Sequence, residues 1–481
     1  MMITTNILNF VISNFNTLKF HNNINIIFII FFIFFASVIK HYHKLLKRSY
    51  HENHYSKTFI ITDIHNAKKI LQETDVISRA IPNQRLKNAF GISNPFTNPD
   101  ENYRIEFRNA INKTINIKNE KWKEFVKITL DTINKKKFDR PTSIELIPWI
   151  QKITLNVVLR GYLGFHPNIH EIIEIENIPE IINKIWIDSK EFENNKKSIK
   201  KSNNLLKNIL QKAYSLTMTT TSSSIDNNKE KNNNVLHILS EIGHKHLQNT
   251  TFQSSQPIPG FTKPTVKELK SPLNIILPAY ETMWRVLLYA ILEIKVRKIL
   301  HQKSQEKLKK QEKSEISIDN LDDSVENFLN NPSYTTLKNN PLHLIVKETL
   351  RLYPATRHIH RIIDDNKYTI DLETIHRDPK SWKNPLLFNP ERFKNHVSKD
   401  HPFIPFSMGK MKCIAADKFA PTLAAILIAS VISSIEIMDI IDDKDDNDEG
   451  IIDYYQKNPD LPFKNDRKVF EKTLFTVISR S

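Results

Sequence analysis

A single thiol, Cys413, stands in the chain of 481 residues, within Phe406-Ser-Met-Gly409-Lys-Met-Lys-Cys413-Ile-Ala415. One cysteine excludes intramolecular disulfides and any multi-cysteine zinc or iron–sulfur cluster. What remains is either an inert buried thiol or a nucleophile or metal ligand. The segment is followed by a glycine-free run from Ala416 to about Ile437, which reads as an amphipathic helix. A thiolate just before a helix lies at the positive end of the helix dipole, near free backbone N–H groups. Gly409, one of only 7 glycines, permits a tight turn and a close approach to a flat ligand, and Phe406 would cover the sulfur and keep water off. The loop suits a thiolate-ligated metal centre; taken alone, it also fits an ordinary core cysteine ahead of a helix.

Four further groups carry charge or polarity at telling spacings. Lys347-Glu348-Thr-Leu-Arg351-Leu-Tyr-Pro354 closes a helix that starts near Pro341, so Glu348 and Arg351, three apart, share one face. On an exposed helix such a pair is worth only ~0.2–0.5 kcal/mol. Pro390-Glu391-Arg392-Phe393 follows, and between the two stand His358, His360 and Arg361. The histidines, at alternate positions, fit one face of a strand better than a metal site. Well upstream, Leu273-Asn-Ile-Ile-Leu-Pro278-Ala-Tyr-Glu281-Thr282-Met-Trp-Arg285 reads as an apolar helix. Pro278 within it removes one N–H and frees the carbonyl one turn earlier to face water or oxygen. A Glu-Thr pair in a helix otherwise needs no function.

In this order the four elements resemble the cytochrome P-450 superfamily, fungal-like members included: a central helix with Glu-Thr, a Glu-x-x-Arg helix, a Pro-Glu-Arg-Phe segment, and the loop Phe-x-x-Gly-x-x-x-Cys. The resemblance covers residues 270–437 well and 55–215 weakly. It implies a mainly α fold with a small β-sheet near the N-terminal part, and haem b (iron protoporphyrin IX) with Cys413 as axial thiolate. It also implies cofactor contacts from Phe406, Gly409 and Arg361, and a structural triad of Glu348, Arg351 and Arg392. Thr282 would hydrogen-bond dioxygen and Glu281 would feed it protons. Electrons would come from an NADPH-dependent reductase, since no glycine motif for flavin or nicotinamide occurs in the chain. The substrate would be an apolar small molecule. Two departures bear on cofactor binding. Met411 stands where the family carries an arginine or histidine toward a haem propionate, and the propionate-binding tryptophan and arginine of the family find only Tyr103 with Arg104 or Arg108, one residue out of register.

Elements that would position this chemistry begin after an apolar run, Ile26 to Ile39, flanked by Lys40, Lys44, Lys47 and Arg48. At ~1.5 Å per residue its 14 residues span about 21 Å of a roughly 30 Å bilayer core. It reads as an uncleaved anchor, against a signal peptide or a core helix, and the cations after it put the following domain on the cytosolic side of the endoplasmic reticulum membrane. The expected layout is therefore an anchor over residues 1–48 and a haem-thiolate domain over 55–481. Low-complexity insertions are expected near 217–234, 301–323 and 439–448. A strand is expected from Thr58 to Asp63 and a helix from His65 to about Glu73. The net charge of +16 comes with no aromatic-interleaved basic groove, so nucleic acid is not an expected partner. Two rival readings stay open: a degenerate, non-catalytic tethered relative, and a haem-thiolate isomerase or dehydratase that works without oxygen.

Overall fold

The structure, a computed structural model, describes residues 56–135, 137–221, 235, 237–239, 241–242, 261, 263–308, 321–394, 401–442, 449–466, 470 and 473–480. The expected membrane anchor lies outside the described residues. A small unit contains Ser56 to Thr58 and the hairpin tip Asp364–Lys367, where the Ser56 N–H donates to Asp365 O at 3.0 Å. The rest of the described chain forms the large unit.

Chain order begins with β1 (Thr58–Ile61), α1 (Ile64–Glu73) and α2 (Val76–Ala80). Aspartates cap both helices: Asp63 accepts the Asn66 N–H and Asp75 accepts the Ser78 N–H, each at 2.8 Å. Next come α3 (Glu101–Ile115), α4 (Asn119–Asn134), β2 (Thr142–Glu145), α5 (Leu146–Asn156), α6 (Ile178–Asp188) and α7 (Phe192–Thr221). The central helix α8 (Leu273–Ile291) passes through a π-helical turn into α9 (Arg297–Leu308), and α10 (Leu321–Asn330) and α11 (Pro341–Leu352) follow. Strands β3 (His358–Ile363) and β4 (Asn366–Asp371) form a hairpin leading into α12 (Leu372–His376). The chain ends with α13 (Phe419–Ser434), β5 (Ile435–Asp442) and β6 (Thr473–Ser479).

The core is helical. α8 packs against α5, α11 and α13, and α13 in turn meets α4 and α10. α13 departs from the expected amphipathic helix, because it is buried nearly all round and starts at Phe419 rather than Ala416. Leu423, Ile426, Leu427, Ile428 and Val431 are each 2% exposed or less, and full burial of such a side chain contributes ~1.5–3 kcal/mol. A helix apolar on every face must run through the interior. The stretch Val266–Ser304, which contains α8, is the one described helix long and apolar enough to cross a membrane; 78% of its apolar window is buried in the protein, as in a core helix.

Besides the expected sheet, ordered β1-β4-β3, a second one is present, β2-β6-β5, antiparallel throughout, with Ile144 opposite Phe475 and Ile437 opposite Val477. The expected insertions are narrower than their composition suggests. α7 continues to Thr221, and the Thr217 hydroxyl donates to Ala213 O (2.9 Å) while accepting the His166 N–H (3.0 Å). His301 to Leu308 belong to α9, and α10 starts at Leu321. Asp439 to Asp442 lie in β5, where Asp442 accepts the Ile451 and Ile452 N–H groups and the Thr473 hydroxyl. Polar side chains that bond back to the backbone fit regular structure as readily as a loop. Residues 222–234, 309–320 and 443–448 lie outside the described residues.

Candidate active site

The cysteine loop is closed by its own backbone: the Cys413 N–H donates to Phe406 O at 2.9 Å, and the Lys412 N–H to Gly409 O at 3.1 Å. Gly409 has φ +68°, and a Cβ there would stand 2.8 Å from Leu71 O, so the close approach it makes is to the last turns of α1. Ser407, at φ +60°, holds the same left-handed backbone with a side chain attached. Gly409→Ala is expected to cost about 1–2 kcal/mol in backbone strain, before the clash with α1. Thermal denaturation should show the lower midpoint, and an unchanged midpoint would deny the constraint.

Cys413 is partly exposed, and five residues separate it from α13, so the sulfur does not sit immediately before a helix. Burial of the sulfur's surroundings raises its thiol above the ordinary range, while the Ala415 N–H, Arg108 and Lys412 pull the other way. Lys412 itself pairs with Asp417 at the surface. Met411 is buried at 5% exposure and offers no charge.

Cations reach the loop from elsewhere. Arg104 and Arg108, one turn apart on α3, donate to Lys410 O and Lys412 O, each at 2.9 Å. Arg104 is also held by Glu101 through two hydrogen bonds of 2.8 and 2.6 Å. Tyr103 faces another way, its hydroxyl donating to Ser93 O at 2.7 Å inside the core. Arg361 on β3 is buried and donates to Thr74 Oγ1 (3.2 Å) and His360 O (2.9 Å). Burial lowers its pKa to about 10, against the pull of Asp75. Its neighbour Arg79 on α2, which no sequence motif marks, is depressed to about 9, first by burial and then by Arg361 and Arg104. A guanidinium keeps its proton at any physiological pH, so Arg79 and Arg361 are buried positive charges close to one another.

The Glu-Thr pair lies on α8. Thr282 donates its hydroxyl to Pro278 O at 2.7 Å, and Glu281 is buried at 9% exposure. The carbonyl that Pro278 frees, that of Asn274, does not open to solvent: Asn94 Nδ2 donates to it at 3.3 Å, and Asn274 Oδ1 accepts the Ser93 N–H at 3.0 Å. A buried carbonyl without its helical donor must find another, and the loop before α3 supplies it.

The pair at 348 and 351 is no surface ion pair. Both side chains are 0% exposed, and Arg351 grips Glu348 with two bonds of 2.7 and 2.8 Å. Arg392 donates to the same carboxylate at 3.0 Å, and so does the Asn389 N–H at 2.7 Å. Arg351 and Arg392 also donate to the carbonyls of Pro385, Lys383 and Leu387, and both lie over the Trp382 ring, at 5.4 and 5.6 Å. His358 and His360 stack with ring centroids 6.2 Å apart, and His360 bonds Thr369 Oγ1; among the described residues no group of three or more metal-binding side chains occurs.

A lone cysteine on a backbone-closed loop, with several guanidiniums close by, is compatible with a haem-thiolate site. Their chemistry fits a porphyrin: Cys413 could hold the metal, and Arg108 and Arg361 could meet its carboxylates. A sequence model of the family Cytochrome P-450 matches residues 22–449, and the chain belongs to that family. Among curated relatives, a (+)-piperitol/(+)-sesamin synthase of Sesamum radiatum is 35% identical over 122 residues, 23% of this chain and 24% of the relative. Probable cytochrome P-450 4p2 of Drosophila melanogaster is 31% identical over 172 residues, 32% of each chain. A flavonoid-6-hydroxylase of Mentha piperita is 31% identical over 128 residues, 23% of this chain and 25% of the relative. The chain thus aligns with a third or less of the length of these relatives.

Proposed function

We propose that this protein is a haem-thiolate monooxygenase that inserts one oxygen atom from O2 into an apolar organic substrate, drawing electrons from an NADPH-dependent reductase. Bound haem supplies the oxygen-activating chemistry. Cys413 holds it from the loop side, and Arg79, Arg108 and Arg361 hold its carboxylates. The observation that carries this reading is α8 itself, a mostly apolar helix with a buried carboxylic side chain and a hydroxyl side by side, Glu281 and Thr282. Thr282 is a positioned donor once its hydroxyl turns from Pro278 O, and Glu281 is the nearest residue in sequence able to replace the proton. The apolar composition of α8 matches an apolar substrate.

The proposed layout keeps the domain over residues 55–481 on the cytosolic face of the endoplasmic reticulum, tethered by an anchor over 1–48. Support comes from the apolar run Ile26 to Ile39 and the lysines that follow it. A second reading is a haem-thiolate isomerase or dehydratase, which would use neither O2 nor protons from Glu281 and Thr282; in its favour, the carbonyl freed within α8 is bonded by Asn94 rather than open to water or oxygen.

Two measurements on one preparation separate these readings. The carbon monoxide difference spectrum of the reduced protein should be of the thiolate type, and NADPH consumption with a reductase should depend on O2 and rise with an apolar compound. In Glu281→Gln the rate of oxygenated product should drop on the order of 10²-fold. Turnover that needs neither O2 nor NADPH and ignores Glu281→Gln would replace the monooxygenase by the isomerase or dehydratase.

A further inference from the structure

We propose that the stacked pair Tyr289 and Tyr353, with Glu293 as proton acceptor, is a one-electron reservoir: it takes up an oxidising equivalent that oxygen activation has formed at the haem and no substrate has consumed. The inference rests on the monooxygenase reading, which supplies the oxidant.

Tyr353, directly after α11, and Tyr289 on α8 are both buried, and their rings lie 4.2 Å apart and 8° from parallel. Neutral aromatic pairs usually sit offset or edge-to-face with centroids about 4.5–7 Å apart. A closer, nearly parallel pair is the arrangement in which two π systems share a positive hole. The Tyr353 hydroxyl donates to Glu293 Oε1 and accepts the Phe463 N–H at 2.9 Å. Glu293 sits in the π-helical turn after α8, a kind of turn frequent at functional sites, and takes two hydrogen bonds from Arg297, at 2.6 and 2.9 Å. Tyr289 follows Thr282 by two turns on the same face of α8, about 10 Å along its axis, so the pair begins close to the proposed oxygen site.

The chemistry balances within this group. Burial, and then the charge of Glu293, hold the Tyr353 phenol well above its ordinary pKa, so it keeps its proton until an electron leaves. Loss of that electron to the oxidant makes the phenol strongly acidic, and its proton passes along the existing hydrogen bond to Glu293. The products are a neutral phenoxyl and a carboxylic acid. The unit of positive charge left behind rests on Arg297, which donates to Pro459 O and Leu461 O and lies over the rings of Phe463 (4.5 Å) and Tyr455 (5.6 Å). One electron from a reductant of the thiol or ascorbate class restores the phenol, the proton returning from Glu293. A purely structural clamp on segment 459–463 would need these hydrogen bonds but not the close parallel stack.

The test is electron paramagnetic resonance of the haem-loaded, substrate-free protein, mixed with a peracid and frozen at once. The parent should show a tyrosyl radical. Tyr353→Phe, which leaves the pair of Glu293 and Arg297 intact, should lose most of that signal while keeping the thiolate-type carbon monoxide spectrum, and its haem should bleach faster during NADPH turnover without substrate. Tyr289→Phe, which gives up only a bond to Lys464 O, should keep a signal but shorten its lifetime, and it decides the matter should Tyr353→Phe misfold. Signal, lifetime and bleaching unchanged in both variants, or no tyrosyl signal in the parent, would reduce the pair to a structural contact and overturn the reservoir. A parent that takes up haem without a thiolate-type spectrum would instead overturn the haem-thiolate reading, and this inference with it.

Discussion

Cys413→Ala should fold like the parent and lose the thiolate-type carbon monoxide spectrum completely, with O2-dependent NADPH consumption falling to background. The two halves of this expectation have separate causes. The loop is closed by main-chain bonds, Cys413 N–H to Phe406 O and Ala416 N–H to Cys413 O (3.3 Å), which alanine retains. The side chain is partly exposed and small, so truncation leaves little cavity, and the midpoint of unfolding of the porphyrin-free protein should move by less than about 1 kcal/mol in free-energy terms. The ligand field, however, has no substitute. Cys413 is the only thiol in the chain, so no other thiolate can take its place. Arg79, Arg108 and Arg361 remain, so some porphyrin should still bind, now without sulfur on the metal. A thiolate-type spectrum that survives Cys413→Ala would remove the central bond of this account.

How much of this was legible in the residue order depends on how local each feature is. The Glu348–Arg351 pair follows from helical spacing alone, and Pro341 and Pro354 bracket its helix at the positions where proline starts and stops one. Its burial does not follow, because the cover comes from the segment 383–392, brought in by tertiary packing. Strand β1 was readable from its β-branched and aromatic residues, and helix α1 was expected directly after it. Sheet β2-β6-β5 was not, since Thr142–Glu145 is four residues long and its partner lies at the far end of the chain. Arg79 shows the same limit at the site. It sits in no motif, and only the meeting of α2, α3 and β3 reveals it as part of a cationic group. The bond from Asn94 to the Asn274 carbonyl joins residues 180 positions apart, so the freed carbonyl could be foreseen but not its occupant.

Removal of one carboxylate should cost more stability than any other single change discussed. Glu348→Ala leaves two guanidiniums facing each other in the interior, with side chains 0% and 8% exposed, and strips the Asn389 N–H of its acceptor. Breaking one side of such a buried network costs about 3–5 kcal/mol, a large part of the ~5–15 kcal/mol that holds a typical domain together. The loss should appear in denaturant titration followed by tryptophan fluorescence, because the Trp382 ring lies under both arginines and should report their release. The decisive comparison is a double-mutant cycle. Were the loss simply that of packing, Glu348→Ala and Arg351→Met would add. Because the dominant cost is an uncompensated charge, Arg351→Met should partly rescue Glu348→Ala, so that the pair is less destabilised than the sum of the singles by about 1–3 kcal/mol. Arg392→Met in the same background should rescue less, since Arg392 makes one bond to Glu348 where Arg351 makes two. Strict additivity in both cycles would show that the triad contributes shape and not charge balance.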